Sequence, residues 1–202
     1  MKVDECEDRE RLRLLREGDE TAFVGLYEAW QGRLYRFAWR MSGSAQTAED
    51  VTQEVFLTLI DGAAGYDPER GALSSYLYGM ARYMTLRRLE RDRRYVRGDE
   101  AQQAAEDLAE GAPDPLGALT QREEIACVRA AVAGLPPRYR EVIALCELEG
   151  LSYAAAAEIL GCSLGTVRSR LHRGRALLTR KLAPAPDEGR RAQCGAIGEV
   201  SR

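Results

Sequence analysis

Residues 151–175 read Leu-Ser-Tyr-Ala-Ala-Ala-Ala-Glu-Ile-Leu-Gly-Cys-Ser-Leu-Gly-Thr-Val-Arg-Ser-Arg-Leu-His-Arg-Gly-Arg. Ser152 can cap a short helix by accepting a hydrogen bond from a free backbone N–H. That helix packs through Ala155, Ile159 and Leu160, and Gly161 supplies the left-handed turn that ends it. Ser163 caps a second helix, with Leu164, Val167 and Leu171 on its inner face. Thr166, Arg168, Ser169, Arg170, His172 and Arg173 are left to point elsewhere. Two short helices joined by a tight glycine turn, the second rich in arginine, form a helix-turn-helix suited to the major groove of DNA. Arginine there neutralises phosphate or grips guanine edges with paired hydrogen bonds. The plainer reading is a solvated basic helix in an ordinary bundle. Residues 163–182 hold six basic groups and no acid, whereas solvated faces usually mix signs, which argues against it.

Working outward, the pattern predicts helices at about 118–133, 137–148, 152–160 and 164–181, punctuated by Gly134, Pro136-Pro137, Gly150 and Gly161. In the first half, Phe23, Leu26, Tyr27, Trp30, Leu34, Phe37, Ala38 and Met41 recur at spacings of three and four, one face of a long helix ending before Gly43. Val51, Val55, Phe56 and Leu59 define the next helix, up to Gly62. Gly65, Asp67-Pro68 and Gly71 mark a loop. Leu73, Tyr76, Leu77, Met80, Ala81 and Met84 define another helix, running on into an arginine-rich stretch to Arg97. Ala (29) and Leu (24) far outnumber Ile plus Val (15), so an all-α fold is expected.

The net charge of −3 over 202 residues conceals blocks of opposite sign. Residues 49–69 sum to −6, residues 82–97 to +5, residues 98–124 to −7 and residues 163–182 to +6. The acidic stretch 98–116 is poor in large apolar groups and ends in Gly111, Pro113 and Pro115, which reads as a flexible linker. The expected organisation is two small helical domains, 1–97 and 117–182, joined by that acidic linker and followed by a disordered tail, 183–202.

Composition excludes several classes. No apolar run is long enough to span a bilayer. The acidic start, Met1 to Glu7, has no apolar core of a signal peptide, so no membrane insertion and a cytoplasmic location are expected. Cysteines at 6, 127, 146, 162 and 194 are too far apart for a zinc site, and His172 is the only histidine. No metal and no cofactor are expected. Cys127, Cys146 and Cys162 read as small buried apolar residues, and Cys6 and Cys194 as exposed ones.

Two motifs carry a resemblance. Leu135-Pro-Pro-Arg-Tyr-Arg-Glu-Val-Ile-Ala-Leu145, followed by Leu151-Ser-Tyr153 and the 161–175 segment, resembles the second domain of the extracytoplasmic-function (ECF) sigma factors. Ala48-Glu-Asp-Val-Thr-Gln-Glu-Val-Phe56 resembles the hallmark of their first domain. The resemblance covers roughly residues 8–97 and 116–182. It implies a factor that binds core RNA polymerase and directs initiation at promoters by recognising −10 and −35 elements. Asp50, Gln53, Glu54 and Phe56 match the face that docks on a coiled coil of the polymerase β′ subunit, and an acidic, partly apolar strip suits a basic helical partner. Tyr66 and Ser74 match a pocket for a flipped base. Tyr83, Arg87, Arg88 and Arg91 match the −10 reading helix, although many members carry Asn or Asp at the positions of Tyr83 and Arg87. Thr166, Arg168, Ser169, His172 and Arg173 match the −35 reader. An anti-sigma factor is a further partner that the resemblance suggests.

Two other classes compete with this reading. An autonomous helix-turn-helix regulator needs neither the 48–56 motif nor the arginine-rich helix. An enzyme fares worse: there is no histidine-based cluster, since His172 stands alone, no P-loop and no H-x-E with paired cysteines, so no catalytic residue is expected.

Overall fold

The computed structural model describes residues 5–61, 66–67, 71–96 and 117–183, and every regular element among them is helical. The first group comprises α1 (Glu5–Arg16), α2 (Glu20–Ser42), α3 (Ala45–Asp61) and α4 (Leu73–Val96). The second comprises α5 (Gly117–Ala133), α6 (Pro137–Val142), a wider-wound continuation of α6 (Ile143–Leu148), α7 (Tyr153–Leu160) and α8 (Leu164–Leu182).

Helix α2 is set at both ends. Asp19 accepts from the Thr21 and Ala22 amides at 2.8 and 3.4 Å, and Gly43 adopts the left-handed conformation, donating to the Trp39 carbonyl at 2.7 Å. Its buried stripe of Leu26, Trp30, Leu34, Phe37, Ala38 and Met41 packs against α3 through Ala48, Val51, Val55 and Leu59 and against α4 through Leu77, Tyr78 and Ala81. Tyr78 sits edge-on to both Trp30 and Phe37, with ring centroids 5.8 and 5.4 Å away.

Helix α1 was not singled out by periodicity. Its exposed side is laced by ion pairs one turn apart, Arg11–Glu7 and Arg13–Glu17 at 2.5 Å and Arg13–Glu10 at 2.7 Å. Leu12 anchors it in the core, and buried Asp8 accepts a 3.0 Å hydrogen bond from Trp30 Nε1.

In the second group, Pro137 starts α6 where its missing N–H costs nothing. The wider winding of 143–148 is closed by the Glu149 amide donating to the Ala144 carbonyl at 2.9 Å. Val142, Ile143, Leu145, Ala156, Leu160, Val167 and Leu171 form the interior.

The two helical groups share one continuous apolar cluster. Their seam is polar as well. The Glu149 carboxylate, with its side chain only 3% exposed, accepts from Arg40 and from the Tyr78 hydroxyl, the latter at 2.7 Å. Arg82 pairs with Glu141 at 3.2 Å, and Arg140 donates to the Met41 carbonyl at 2.8 Å. Arg129 stacks over Trp39 at 5.2 Å from the ring centroid. Charge burial of this kind is tolerated because each carboxylate is paired and hydrogen-bonded.

The acidic 98–116 segment and the tail beyond Ala183 lie outside the described residues, as does Cys194; nothing is described of the Cys6 side chain. The expectation for the three internal cysteines needs correction. Cys127 is exposed, and Cys146 and Cys162 are half-buried. Among the described side chains of α5, Ala131 and Val132 are buried and residues 125–130 are exposed, Cys127 with them. Among the described residues no helix is long and apolar enough to cross a membrane.

Candidate nucleic-acid interface

The helix-turn-helix is built from caps. Ser152 accepts from the Ala155 amide at 3.1 Å, and Ser163 accepts from the Thr166 amide at 3.2 Å. Between them Gly161 turns the chain at φ +60°, a conformation that costs glycine nothing. Val167 and Leu171 are buried, and Gly174 lets α8 lie directly on Ile143. This orientation leaves Arg168, Ser169, His172 and Arg173 exposed on one side of α8, with Thr166 half-buried at its start. Arg173 leans on the Tyr139 hydroxyl, and that contact outweighs desolvation to hold the phenol below its ordinary pKa. Arg175 is turned away and pairs with Glu147 at 2.5 Å.

Helix α4 carries a second cationic face. Tyr83, Arg87 and Arg91 recur four residues apart, and all are exposed, Tyr83 to 63%. Arg88 does not join them. Its guanidinium turns toward α3 and donates to Asp50 at 2.6 Å and Glu54 at 2.7 Å. The loop residue Tyr66 is buried rather than presented at the surface. Its hydroxyl donates to the Gly71 carbonyl at 2.9 Å, its carbonyl accepts from Arg16, and its ring lies 5.4 Å from Tyr76. Ser74 is half-buried at the start of α4. Residues 62–65 and 68–70 of this loop lie outside the described residues.

On α3, Asp50 and Glu54 are half-buried and Gln53 is exposed. Phe56 is buried. Its ring packs 4.8 Å from Tyr27 and edge-on to Phe23 at 6.1 Å, so it forms the floor of a groove between α2 and α3. The groove holds about 600 Å³, and exposed Leu57 and Ile60 line its side. An apolar floor flanked by Gln53 and Glu49 offers a partner helix both contact area and a charge cue.

Sequence reasoning missed the seam residues Arg40, Tyr78, Arg82, Glu141 and Glu149. Glu141 and Glu149, two of the three acids that interrupt the apolar positions of 139–149, are the trace they leave in the sequence. Their partners are 59 to 109 residues away, beyond any local pattern.

Residues 26–95 match the family model for Sigma-70 region 2, and residues 125–178 match that for Sigma-70, region 4. The chain is 35% identical over 174 residues to the ECF RNA polymerase sigma factor SigE of Mycolicibacterium smegmatis, covering 85% of this chain and 66% of that relative. It is 30% identical over 169 residues to the ECF RNA polymerase sigma factor SigK of Mycolicibacterium vanbaalenii, covering 81% of this chain and 83% of that one. Among solved structures it is similar to the sigma factor RpoE of Bartonella quintana, crystallised with the anti-sigma factor NepR. The TM-score is 0.61 at 26% identity, over 79% of this chain and 96% of that one.

Proposed function

Because the chain belongs to the ECF sigma factors, which bind core RNA polymerase and direct promoter-specific initiation and are not enzymes, we propose a division of labour among its helices. The carrying observation is the exposed face of α8. Arg168, Ser169, His172 and Arg173 are exposed on a helix without a single acid, and this supports their reading of the −35 element in the major groove. Thr166 supports them at the helix N-terminus.

Tyr83, Arg87 and Arg91, with Arg88 beside them, engage the −10 region, where exposed aromatic and cationic groups suit an unstacked strand. Ser74 and Tyr66, at the start of the same helix and just before it, serve the −10 strand as well; Tyr66, being buried, acts through its bond to Gly71. Asp50, Gln53 and Glu54 dock on the basic coiled coil of β′, with Phe56 flooring the groove beside them. The factor works in the cytoplasm, where polymerase and promoter DNA are. An anti-sigma factor, as in the RpoE complex, is its expected restraint.

The packed arrangement of the two helical groups is the unbound state. Elements about 25 base pairs apart lie about 85 Å apart along B-DNA, whereas α4 and α7 touch. The groups must separate, and 19 linker residues reach about 65 Å when extended.

The test is in vitro transcription with core polymerase. Arg168→Ala with Arg173→Ala should abolish promoter output and keep polymerase binding; Asp50→Ala with Glu54→Ala should lose polymerase binding. Wild-type behaviour of both pairs would overturn the assignment.

A further inference from the structure

Beside the exposed Arg87 and Arg91 of α4, Arg88 spends its hydrogen bonds inside the protein. Its two Nη atoms straddle one turn of α3, reaching Asp50 Oδ2 at 2.6 Å and Glu54 Oε2 at 2.7 Å. The guanidinium side chain is 22% exposed, while both carboxylates are open to solvent on their far side, at 45% and 40%. Burial works against the charge of Arg88, and the two carboxylates outweigh it, so the guanidinium is held firmly protonated.

The surroundings give this fork its meaning. Between α3 and α4 lies a cleft of about 480 Å³ lined by Glu54, Met84, Arg87, Arg88, Glu90 and Arg91. With Asp50 beside it, three arginines there face three carboxylates, so among the described residues the cleft lining is close to neutral. A neutral patch has little pull on phosphate. Asp50 and Glu54 are also the acids offered to a basic polymerase helix, and neither can satisfy Arg88 and that helix in full. Pairs this exposed are weak enough to exchange. Once they exchange, two of the three negative charges are neutralised by the partner. Arg88 is left with a planar fork of donors beside Arg87 and Arg91, and phosphate oxygens match that fork.

We infer that Arg88 couples polymerase docking to DNA engagement: in the free chain it occupies the docking carboxylates, and in the docked factor it turns to the DNA backbone. The inference rests on the assignment of α3 to polymerase and α4 to the −10 region. It follows that the −10 face should be silent without polymerase, because the acids that mask it are those the polymerase removes. Arg88 is thus an internal competitor before docking and a DNA contact residue after it.

The test uses the full chain, core polymerase and sheared genomic DNA of the source organism, with transcripts read by sequencing. Polymerase affinity is measured separately by fluorescence anisotropy. Arg88→Ala should bind core polymerase about threefold to fivefold more tightly, because an internal competitor worth one exposed pair is gone. It should also yield at least about fivefold fewer promoter-specific transcripts at saturating polymerase, because a phosphate contact is lost. A clamp that merely held α3 to α4 would weaken polymerase binding and lower the melting temperature together, and that outcome overturns the inference. If Arg88→Ala does not fold, Arg88→Lys decides. Lysine pairs with one carboxylate at a time, so polymerase binding should tighten about twofold with most transcripts retained; binding no tighter than wild type overturns it. Asp50→Ala with Glu54→Ala separates the two levels. Undiminished polymerase binding in that pair sinks the docking assignment and the coupling with it. A normal loss there, with Arg88→Ala no tighter than wild type, sinks the coupling alone.

Discussion

Replacing Glu149 by alanine should open the two helical groups. The carboxylate is almost fully buried at the seam and is held by Arg40 and the Tyr78 hydroxyl. Removing one partner of a buried pair costs about 3–5 kcal/mol when the other charge stays buried. Here Arg40 is partly exposed and can rehydrate, which brings the loss down to about 2–3 kcal/mol. Much of that is the hydrogen bond to a charged acceptor that Tyr78 loses. At about 1.4 kcal/mol per factor of ten, the open form gains roughly thirty- to hundredfold in population. The carboxylate does not hold up the interior of its own group, which rests on Val142, Ile143 and Leu145. The helices therefore survive. Small-angle scattering should show the radius of gyration rising by several Å over a compact value of about 17 Å. Circular dichroism should keep its helical signal while the first unfolding transition moves to lower temperature. Tyr78→Phe should shift both in the same direction by less. Scattering and melting curves of Glu149→Ala that overlay those of the wild type would refute the reasoning, because they would mean that the seam is held by apolar contact alone.

Three further outcomes are expected. Burial raises the Asp8 carboxyl pKa above the ordinary range, against the Trp30 hydrogen bond and the nearby Arg11 and Arg33. The unfolded chain then sheds this proton at lower pH than the folded one, so the contribution falls as pH rises from about 4 through the folded pKa. Asp8→Asn keeps an acceptor for Trp30, and should raise the melting temperature at pH 7 and flatten that slope; a lower melting temperature contradicts this. At Gly174 an added Cβ would stand 3.1 Å from Ile143 Cγ1, so Gly174→Val should cost about 1–3 kcal/mol in denaturant titration despite the better helix propensity, and a stabilised variant would show that α8 can shift. Burial, reinforced by Glu147, pushes the Cys146 thiol up to about 11, so iodoacetamide at pH 8 should label exposed Cys127 first; the reverse order in peptide mapping refutes the placement.

What could be read in advance follows from how local each signal is. Ser152, Gly161 and Ser163 act on amides within four residues, so the caps and the turn were visible in the string. The α2 stripe was visible for the same reason, because a period of 3.6 residues is a property of one segment. Helix α1 was not, since its stability is shared between surface ion pairs and a buried Asp8–Trp30 contact made by a second helix. The seam was invisible because Arg40 and Glu149 are 109 residues apart. Within the candidate site, the face of α8 follows from its phase. The partner of Arg88 does not, since α4 meets α3 only in the folded chain. Phe56 belongs both to the apolar pattern of its helix and to the docking motif, and it floors the groove; Tyr66, read as lining a base pocket, is buried because its hydroxyl meets Gly71 and its ring meets Tyr76.

The central claim is that separate faces of one chain serve polymerase and the two promoter elements. Footprinting of the reconstituted holoenzyme on a promoter recovered from its own transcripts tests this most directly. The account predicts two protected blocks about 25 base pairs apart. With Arg168→Ala and Arg173→Ala the upstream block alone should vanish while polymerase stays bound. Loss of the downstream block instead, or protection of both blocks in that variant, would contradict the assignment of α8 to the upstream element.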